Sequence, residues 1–441
     1  MRAKAGEPPC TISQKILGPR QRGGARSGEP VLLAVDQIVL TDGVLGTIAD
    51  GRSRGPASSS GGKKTPVEIA VAYDGHPTRK AGEAEPFSVR QALAYGLVVS
   101  RAGMGFAAPV HTERFAAPAR LCVTDSPRMA ATGGVSMLTL AVSAADLGQA
   151  LATGTILARM PVTVSVQLTG RLRPFVSATD VALELCLRGT MEVVQKARAR
   201  HGVPVILELG GPAVRHFSIP ERAHIAQIAW EVAAASAVFP SDERTQVYLR
   251  DQRRSKAHRV LTADPGADVA DVVQLDVGAI DPLVRCPDGV VRPVRDVAGT
   301  AIESVLIGGD GGASLKDVLT VAALLKAKRV HENVALLFAP PSRQILEVLA
   351  DSGGLADLVS VGARLVEPDV GVLTQALYPG IQLRTCLAPS GGGGSTYTAS
   401  AETCAHAVTR GELGDPRGQK RVVRVTVPRE LPTDDVLLVR R

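Results

Sequence analysis

Polar residues that could carry chemistry follow two predicted strands. Asp74 and His76 come after one apolar strand, and Asp125 and Ser126 come after another. An aspartate that orients an imidazole makes a general base, so His76 or His111 could act as base, with Asp74 or Asp125 orienting it. The alternative is that the aspartates cap helices and both histidines lie in surface loops. Ser126 could also be a nucleophile, although no histidine lies nearby in the sequence.

A glycine-rich loop is a candidate binding element for an anion. It follows the predicted strand 304–307 and leads into a helix, with the sequence Gly308-Gly309-Asp310-Gly311-Gly312. Unpaired backbone N–H groups at a helix N-terminus attract anions, and Ser314 followed by Asp317 predicts the cap of that helix. We assign substrate binding to Arg128, Gly309, Asp310, Gly311, Gly312, Ser342 and Arg343. The alternative is an ordinary tight turn between strand and helix.

A hard divalent cation is a further option for this set of side chains. Asp74, Asp125 and Asp310 would supply carboxylate oxygens, which suit Mg²⁺ or Mn²⁺. This option requires the three side chains to converge in the fold. The six cysteines are far apart and form no C-x-x-C pair, which argues against a zinc ribbon or a disulfide framework.

Composition indicates a globular protein of a reducing, cytoplasmic compartment. The 441 residues are 45% hydrophobic and 21% charged, with a net charge of +7 and only 3% aromatics. Basic residues without interleaved aromatics do not make a nucleic-acid groove. The N-terminus lacks the apolar segment of a secretory signal. The most apolar stretch, 135–158, carries Asp146 and Gln149, so we interpret it as a core helix and expect no membrane span.

Predicted strands and helices alternate along the chain. Apolar runs predict strands near 31–40, 162–169 and 422–427, and helical periodicity predicts helices over 135–153 and 178–201. Alternation of this kind is typical of α/β architecture with mainly parallel sheets.

Five segments, in order along the chain, resemble one family. The chain is similar to the large subunit of 3-isopropylmalate dehydratase, a member of the aconitase family. The similar segments are 11–17 (TISQKIL), 123–154 (beginning VTDSPRMAATGG), 162–180 (beginning VTVSVQLTG), 217–243 (beginning FSIPERAHIAQ) and 395–417.

The resemblance implies a particular architecture and partner. Three α/β domains would surround a central cleft, here over residues 31–128, 129–300 and 301–441 after an N-terminal arm at 1–30. The swivelling fourth domain would be absent from this chain. A separate small subunit is therefore an expected partner.

The resemblance also predicts that the family's [4Fe–4S] cluster is absent. Family members bind this cluster with three thiolates, and the matching positions here are Asp310, Val370 and Leu373. Aliphatic side chains cannot replace thiolates. From this comparison we expect no cofactor, the divalent cation above being the only option.

Other family site residues differ as well. The family's Asp-Ser-His segment reads Asp125-Ser126-Pro127, and Phe106 stands at a family histidine position. The Asp-His pair reads Asp74-Gly75, with His76 one place late. The loop with two carboxylate-binding arginines is replaced by 389–395 (PSGGGGS), which offers no bidentate donors.

Two functions remain open from the sequence. The first is a cluster-free lyase or isomerase that acts on a small polar carboxylate-bearing metabolite in a specialised biosynthetic pathway. The second is a catalytically inactive pseudoenzyme that serves as a binding or scaffold subunit. A cleft with ordered Asp, His and Arg side chains would favour the first, and a collapsed cleft the second.

Overall fold

The described part of the chain contains four β-sheets with helices packed between and around them. The computed structural model describes residues 8–23, 29–41, 65–73, 92–93, 95–368, 380–386, 395–419 and 422–440. The prediction of an α/β fold is confirmed for this part of the chain.

The helices, numbered along the described ranges, are α1 Ile12–Leu17, α2 Ala107–Arg114, α3 Ala144–Thr153, α4 Ala178–Leu187, α5 Thr190–His201, α6 Ile219–Ala226, α7 Ile228–Glu231, α8 Glu243–Asp251, α9 Leu315–Leu325, α10 Arg343–Asp351, α11 Gly354–Ser360 and α12 Ala401–Arg410.

The strands are β1 Gln21–Arg22, β2 Pro30–Ala34, β3 Gln37–Leu40, β4 Ile69–Tyr73, β5 Val98–Ser100, β6 Leu121–Thr124, β7 Leu138–Ala141, β8 Thr155–Arg159, β9 Val162–Thr169, β10 Val205–Gly210, β11 Ser236–Val238, β12 Asp271–Asp276, β13 Leu283–Arg285, β14 Val291–Pro293, β15 Ser304–Gly308, β16 Ala335–Ala339, β17 Arg364–Leu365, β18 Gln382–Arg384, β19 Thr396–Ala399 and β20 Leu438–Val439.

Three of the sheets described are mainly parallel. Their strand orders are β20-β5-β4-β3-β6-β7, β11-β10-β9-β12 and β14-β13-β19-β18-β15-β16-β17, whereas β1-β2-β8 is antiparallel. Central strands such as β6 and β15 are buried along their whole length. This burial explains why they read as continuous apolar runs.

The helix predicted over 135–153 is only partly correct, since α3 covers residues 144–153 of it. The residues before α3 form the end of a 3₁₀ segment, Pro127–Val135, and then β7. β7 pairs with β6 as a parallel strand, which keeps this stretch extended. The core helix predicted over 135–158 is likewise only partly correct, because its last residues belong to β8, which pairs with β2.

Two further elements differ from prediction. The helix predicted over 178–201 is broken into α4 and α5, because Gly189 adopts a positive φ of 72°. Residues 422–427 form no strand. The C-terminal strand is instead β20, which pairs with β5 at the edge of the six-stranded sheet. Within the described ranges, no helix is long and apolar enough to cross a membrane.

Candidate functional site

The glycine-rich loop adopts the strand-to-helix turn expected from the sequence. Ser314 caps α9, accepting from the Asp317 N–H while its own N–H donates to the Asp317 carboxylate. Gly308, Gly309 and Gly311 all have positive φ. At Gly308 a Cβ would lie 1.9 Å from the Ala339 carbonyl oxygen, so the turn requires glycine there.

The backbone of this loop is partly engaged within the protein. The Gly308 N–H donates to Thr385 Oγ1 (2.9 Å), and the Gly309 N–H donates to the Ala339 carbonyl (2.9 Å). The Gly312 N–H donates to the Gly309 carbonyl (3.3 Å). These three N–H groups are therefore not aimed at a ligand.

Asp310 and Arg128 are brought together by the fold. Arg128 Nη1 lies 3.2 Å from Asp310 Oδ2, and both side chains are largely buried. Burial raises the pKa of Asp310, while the Arg128 charge opposes this shift. Asp310 Oδ1 is buried without a hydrogen-bond partner among the described residues. Arg128 thus faces a carboxylate of its own chain, and its substrate-binding role stays a prediction.

The other residues predicted at strand ends lie in different surroundings. Asp125 accepts hydrogen bonds from the N–H (2.9 Å) and Oγ1 (2.5 Å) of Thr41, and the Ser126 N–H donates to Thr124 Oγ1 (3.2 Å). Asp74 and His76 lie outside the described residues. The structure therefore leaves the predicted roles of Asp74 and His76 as predictions, and it gives Asp125 a structural partner.

His111 is a core residue and not a surface loop residue. Its ring nitrogens are hydrogen-bonded to Tyr73 Oη (3.1 Å) and Gln37 Oε1 (2.9 Å). Burial, together with the Arg254 charge, lowers the pKa of His111 to about 3. The imidazole is neutral and fully buried, and both of its nitrogens are hydrogen-bonded within the protein, so it cannot reach a substrate. This placement does not support His111 as the predicted general base.

Ser342 and Arg343 open α10 and bind protein groups. Ser342 Oγ donates to Glu113 Oε1 (2.7 Å) and accepts from the Ile345 N–H (3.3 Å). Arg343 pairs with Glu347 (2.7 Å) one helical turn away. Ser342 therefore connects α10 to α2 through Glu113, a residue that the sequence had not indicated.

A cavity of about 330 Å³ lies where α2, α6, α8 and the starts of α9 and α10 meet. Residues 427–431 form a further wall, and Gly311 of the glycine-rich loop contributes to the lining. Most lining side chains are apolar or uncharged. Those that could move protons or bind charge are Glu113, His224, Arg244, Tyr248, Asp251, Lys316 and Arg429.

His224, on α6, is the group in this cavity with the properties of a general base. Its Nδ1 lies 2.6 Å from the Gly311 carbonyl oxygen, which can only accept, so Nδ1 carries the proton. Nε2 is buried without a hydrogen-bond partner among the described residues. Burial lowers the pKa of His224, opposed by the Asp317 charge. The neutral ring therefore keeps a lone pair on Nε2.

Glu113, on α2, is a carboxyl group that lines the same cavity. Burial raises the pKa of Glu113 from 4.5 to about 7, against the opposing effects of the Ser342 hydrogen bond and the Arg114 charge. Its Oε2 is buried without a hydrogen-bond partner among the described residues. A carboxyl group with this pKa is partly protonated at neutral pH and can donate a proton.

This raised pKa predicts a change in the pH dependence of stability. Between pH 4.5 and about 7 the native protein holds a proton on Glu113 that the unfolded chain releases, so the free energy of unfolding falls as pH rises through this window. Glu113→Gln removes this titration and should reduce the slope by up to about 1.4 kcal/mol per pH unit. Urea unfolding at several pH values measures the slope.

The control for this prediction is Glu243→Gln, at an exposed position on α8. It should leave the slope as in the unaltered protein. Buried Asp180 and Glu402, whose pKa values burial also raises, keep part of the slope in both variants. An unchanged slope in Glu113→Gln would show that Glu113 is ionised in the native protein.

Comparison with known proteins shows which family the chain is similar to. The family described as "Aconitase family (aconitate hydratase)" matches residues 79–295. The 3-isopropylmalate dehydratase large subunit 2 of Archaeoglobus fulgidus is 27% identical over 92% of this chain and 99% of its own length. The chain is similar to the aconitase family.

Other relatives agree with this similarity. The 3-isopropylmalate dehydratase large subunit 1 of Thermotoga maritima is 26% identical over 92% of this chain and 99% of its own length. A probable methanogen homoaconitase large subunit of Methanosarcina mazei is 28% identical over 69% of this chain and 78% of its own length. The similarity to dehydratase large subunits expected from the sequence is thereby confirmed.

The similarity to the aconitase family corrects the expectation that the chain uses no cofactor. Dehydratases of this family normally carry a [4Fe–4S] cluster, so the family implies one here. The divalent cation gains no support, because the described residues include no group of three or more His, Cys, Asp or Glu placed to hold a metal ion.

The described residues alone do not make a site for the implied cluster. Cys386 packs beside Gly312, and burial raises the pKa of the Cys404 thiol well above its usual value, which disfavours the thiolate that a cluster needs. Asp310 is paired with Arg128. Residues 370 and 373 lie outside the described ranges.

The sequence offered weak signals for the two cavity residues it missed. His224 lies within the segment 217–243 that resembles the family, three residues after the Glu221 of a helix-capping box. Glu113 lies two residues after His111, on the same helix. Neither residue belongs to a motif, so only the cavity that both of them line singles them out.

Proposed function

We propose that this chain is a lyase or isomerase of the aconitase family that acts on a small, polar, carboxylate-bearing metabolite in a specialised biosynthetic pathway. The observation that carries the proposal is a single cavity lined by a neutral histidine with a free lone pair and by a carboxyl group of raised pKa. Pairs of groups whose surroundings separate their pKa values in this way supply the base and the acid of proton-transfer enzymes.

The chemistry that fits this pair is elimination of water. His224 Nε2 takes the proton from the carbon next to a substrate carboxylate, and the electron pair of that C–H bond forms a carbon–carbon double bond. The neighbouring C–O bond breaks, and protonated Glu113 donates its proton to the departing hydroxyl, which leaves as water. Hydration runs through the same steps in reverse, and the two together would move a hydroxyl group along the substrate.

The test is a turnover assay on small hydroxy-dicarboxylates and hydroxy-tricarboxylates. The full chain is reconstituted anaerobically with iron and sulfide, since the family implies a cluster, and the conjugated double bond is followed by its ultraviolet absorbance. We expect turnover of at least one such compound and none of the matching hydroxy-diamides. No turnover of any carboxylate, with or without a small-subunit protein, would contradict the proposal.

A catalytically inactive binding or scaffold subunit is the second candidate. It is favoured by the protein partners of two carboxylates that the sequence analysis had assigned to the site, since Asp125 binds Thr41 and Asp310 binds Arg128. In that case the protein would bind a carboxylate ligand in the cavity without converting it. A carboxylate that binds to the protein but is not converted in the turnover assay would favour this alternative.

A small subunit is the proposed protein partner. The relatives reported above are named as large subunits, which implies a smaller companion for each of them. Co-expression of this chain with such a protein, followed by size-exclusion chromatography, tests the proposal. Separate elution of the two proteins would speak against it.

A further inference from the structure

The segment 422–440, the C-terminal segment, crosses the cavity and is fixed on the protein beyond it. Leu431 is buried, and the Pro432 carbonyl accepts hydrogen bonds from Arg114 Nη2 (3.1 Å) and Gln344 Nε2 (2.6 Å). Further on, β20 pairs with β5 of the six-stranded sheet. These contacts hold residues 427–431 against the cavity as a wall of defined position.

The anchors of this wall are connected to the proposed acid. Arg114 follows Glu113 in the chain, and Gln344 forms a reciprocal pair of amide hydrogen bonds with Gln252 (2.7 and 3.0 Å). Both glutamines line the cavity. A group on residues 427–431 is therefore held in a fixed relation to the α2 side of the cavity.

Three cationic side chains line the cavity, and they differ in what they bind. Lys316 Nζ lies 2.8 Å from Glu221 Oε1, so its charge is balanced within the protein. Arg244 Nε donates to the Arg215 carbonyl (3.0 Å). Arg429 is exposed and forms no ion pair with any carboxylate that the structure describes.

We propose that Arg429 binds a carboxylate group of the ligand in this cavity, so that the C-terminal segment determines which ligands are accepted. A guanidinium group without a protein partner can form two parallel hydrogen bonds to a carboxylate. The inference that the ligand is a carboxylate rests on the proposed function. The assignment adds a cation that is available to a ligand to a largely apolar lining.

The test is the affinity for succinate, a carboxylate probe, and for succinamide, its uncharged analogue, measured by isothermal titration of the full chain. We expect the protein to bind succinate more tightly than succinamide. Arg429→Ala should weaken succinate binding by roughly 10- to 100-fold, the usual effect of losing a charge-assisted hydrogen bond. Arg429→Lys should give an intermediate loss, because lysine keeps the charge without the planar fork.

The matched control is Arg424→Ala, an exposed arginine on the same segment that does not line the cavity. It should bind succinate as the unaltered protein does. Equal succinate affinity in Arg429→Ala, or no succinate binding by the unaltered protein, would overturn the assignment. Binding that requires Arg429 without turnover of any carboxylate would support the assignment and contradict the proposed enzyme.

Discussion

His224→Asn is expected to lower kcat by about 100- to 10,000-fold, the usual contribution of a general base. The asparagine amide can still donate to the Gly311 carbonyl in place of Nδ1, so the contact between α6 and the glycine-rich loop is kept. What the variant lacks is the Nε2 lone pair. The measurement is steady-state turnover of whichever carboxylate the unaltered protein converts.

The control for this variant is His216→Asn, which changes the same residue type at an exposed position outside the cavity. It should keep full turnover. A near-normal kcat in His224→Asn would remove His224 from the reaction and leave another group as base. Equal losses in both histidine variants would indicate a general effect of substitution and not a specific role.

Arg222→Ala is expected to destabilise the fold by about 3 to 5 kcal/mol, the usual cost of removing one partner of a buried ion pair. Arg222 is completely buried, and its guanidinium donates to both Asp242 oxygens (3.1 and 2.6 Å). It also donates to the carbonyls of Val214 and Pro240, both at 3.1 Å. Truncation would remove one donor from each of these acceptors and the cation that faces the Asp242 carboxylate.

This prediction can be measured with a probe that the chain already contains. Trp230 is the only tryptophan and lies on α7, directly after the helix that carries Arg222. Urea unfolding followed by its fluorescence therefore reports on this region. Arg188→Ala is the control, because its half-exposed pair with Glu184 should contribute less than about 1 kcal/mol. A similar small effect for Arg222→Ala would contradict the expected burial cost.

The two predictions are related through α6. Arg222 fixes this helix to the start of α8 through Asp242, and His224 lies two residues further along. Loss of Arg222 should therefore also disturb the position of His224. Arg222→Lys, which keeps a positive charge, offers an intermediate variant if Arg222→Ala does not fold.

Local sequence determined much of the fold. The alternation of apolar strands and helices predicted the α/β class correctly, because it reflects burial of strands between helices. Ser314 and Asp317 predicted the cap of α9, because a capping box involves only residues three apart. The sequence misled where strand pairing decided the structure, as in β8, which pairs with the distant β2, and where the positive φ of Gly189 ends a helix.

The candidate site was decided by tertiary structure. The sequence indicated Asp125 and His111 as catalytic residues and Asp310 as a binding residue, yet in the fold they bind Thr41, Tyr73 and Arg128. The sequence did determine the family, since order and spacing of whole segments survive substitution. Which histidine keeps a free lone pair, and which carboxyl group stays protonated, depends on burial and on partners far away in the chain. Only the folded protein brings those partners together.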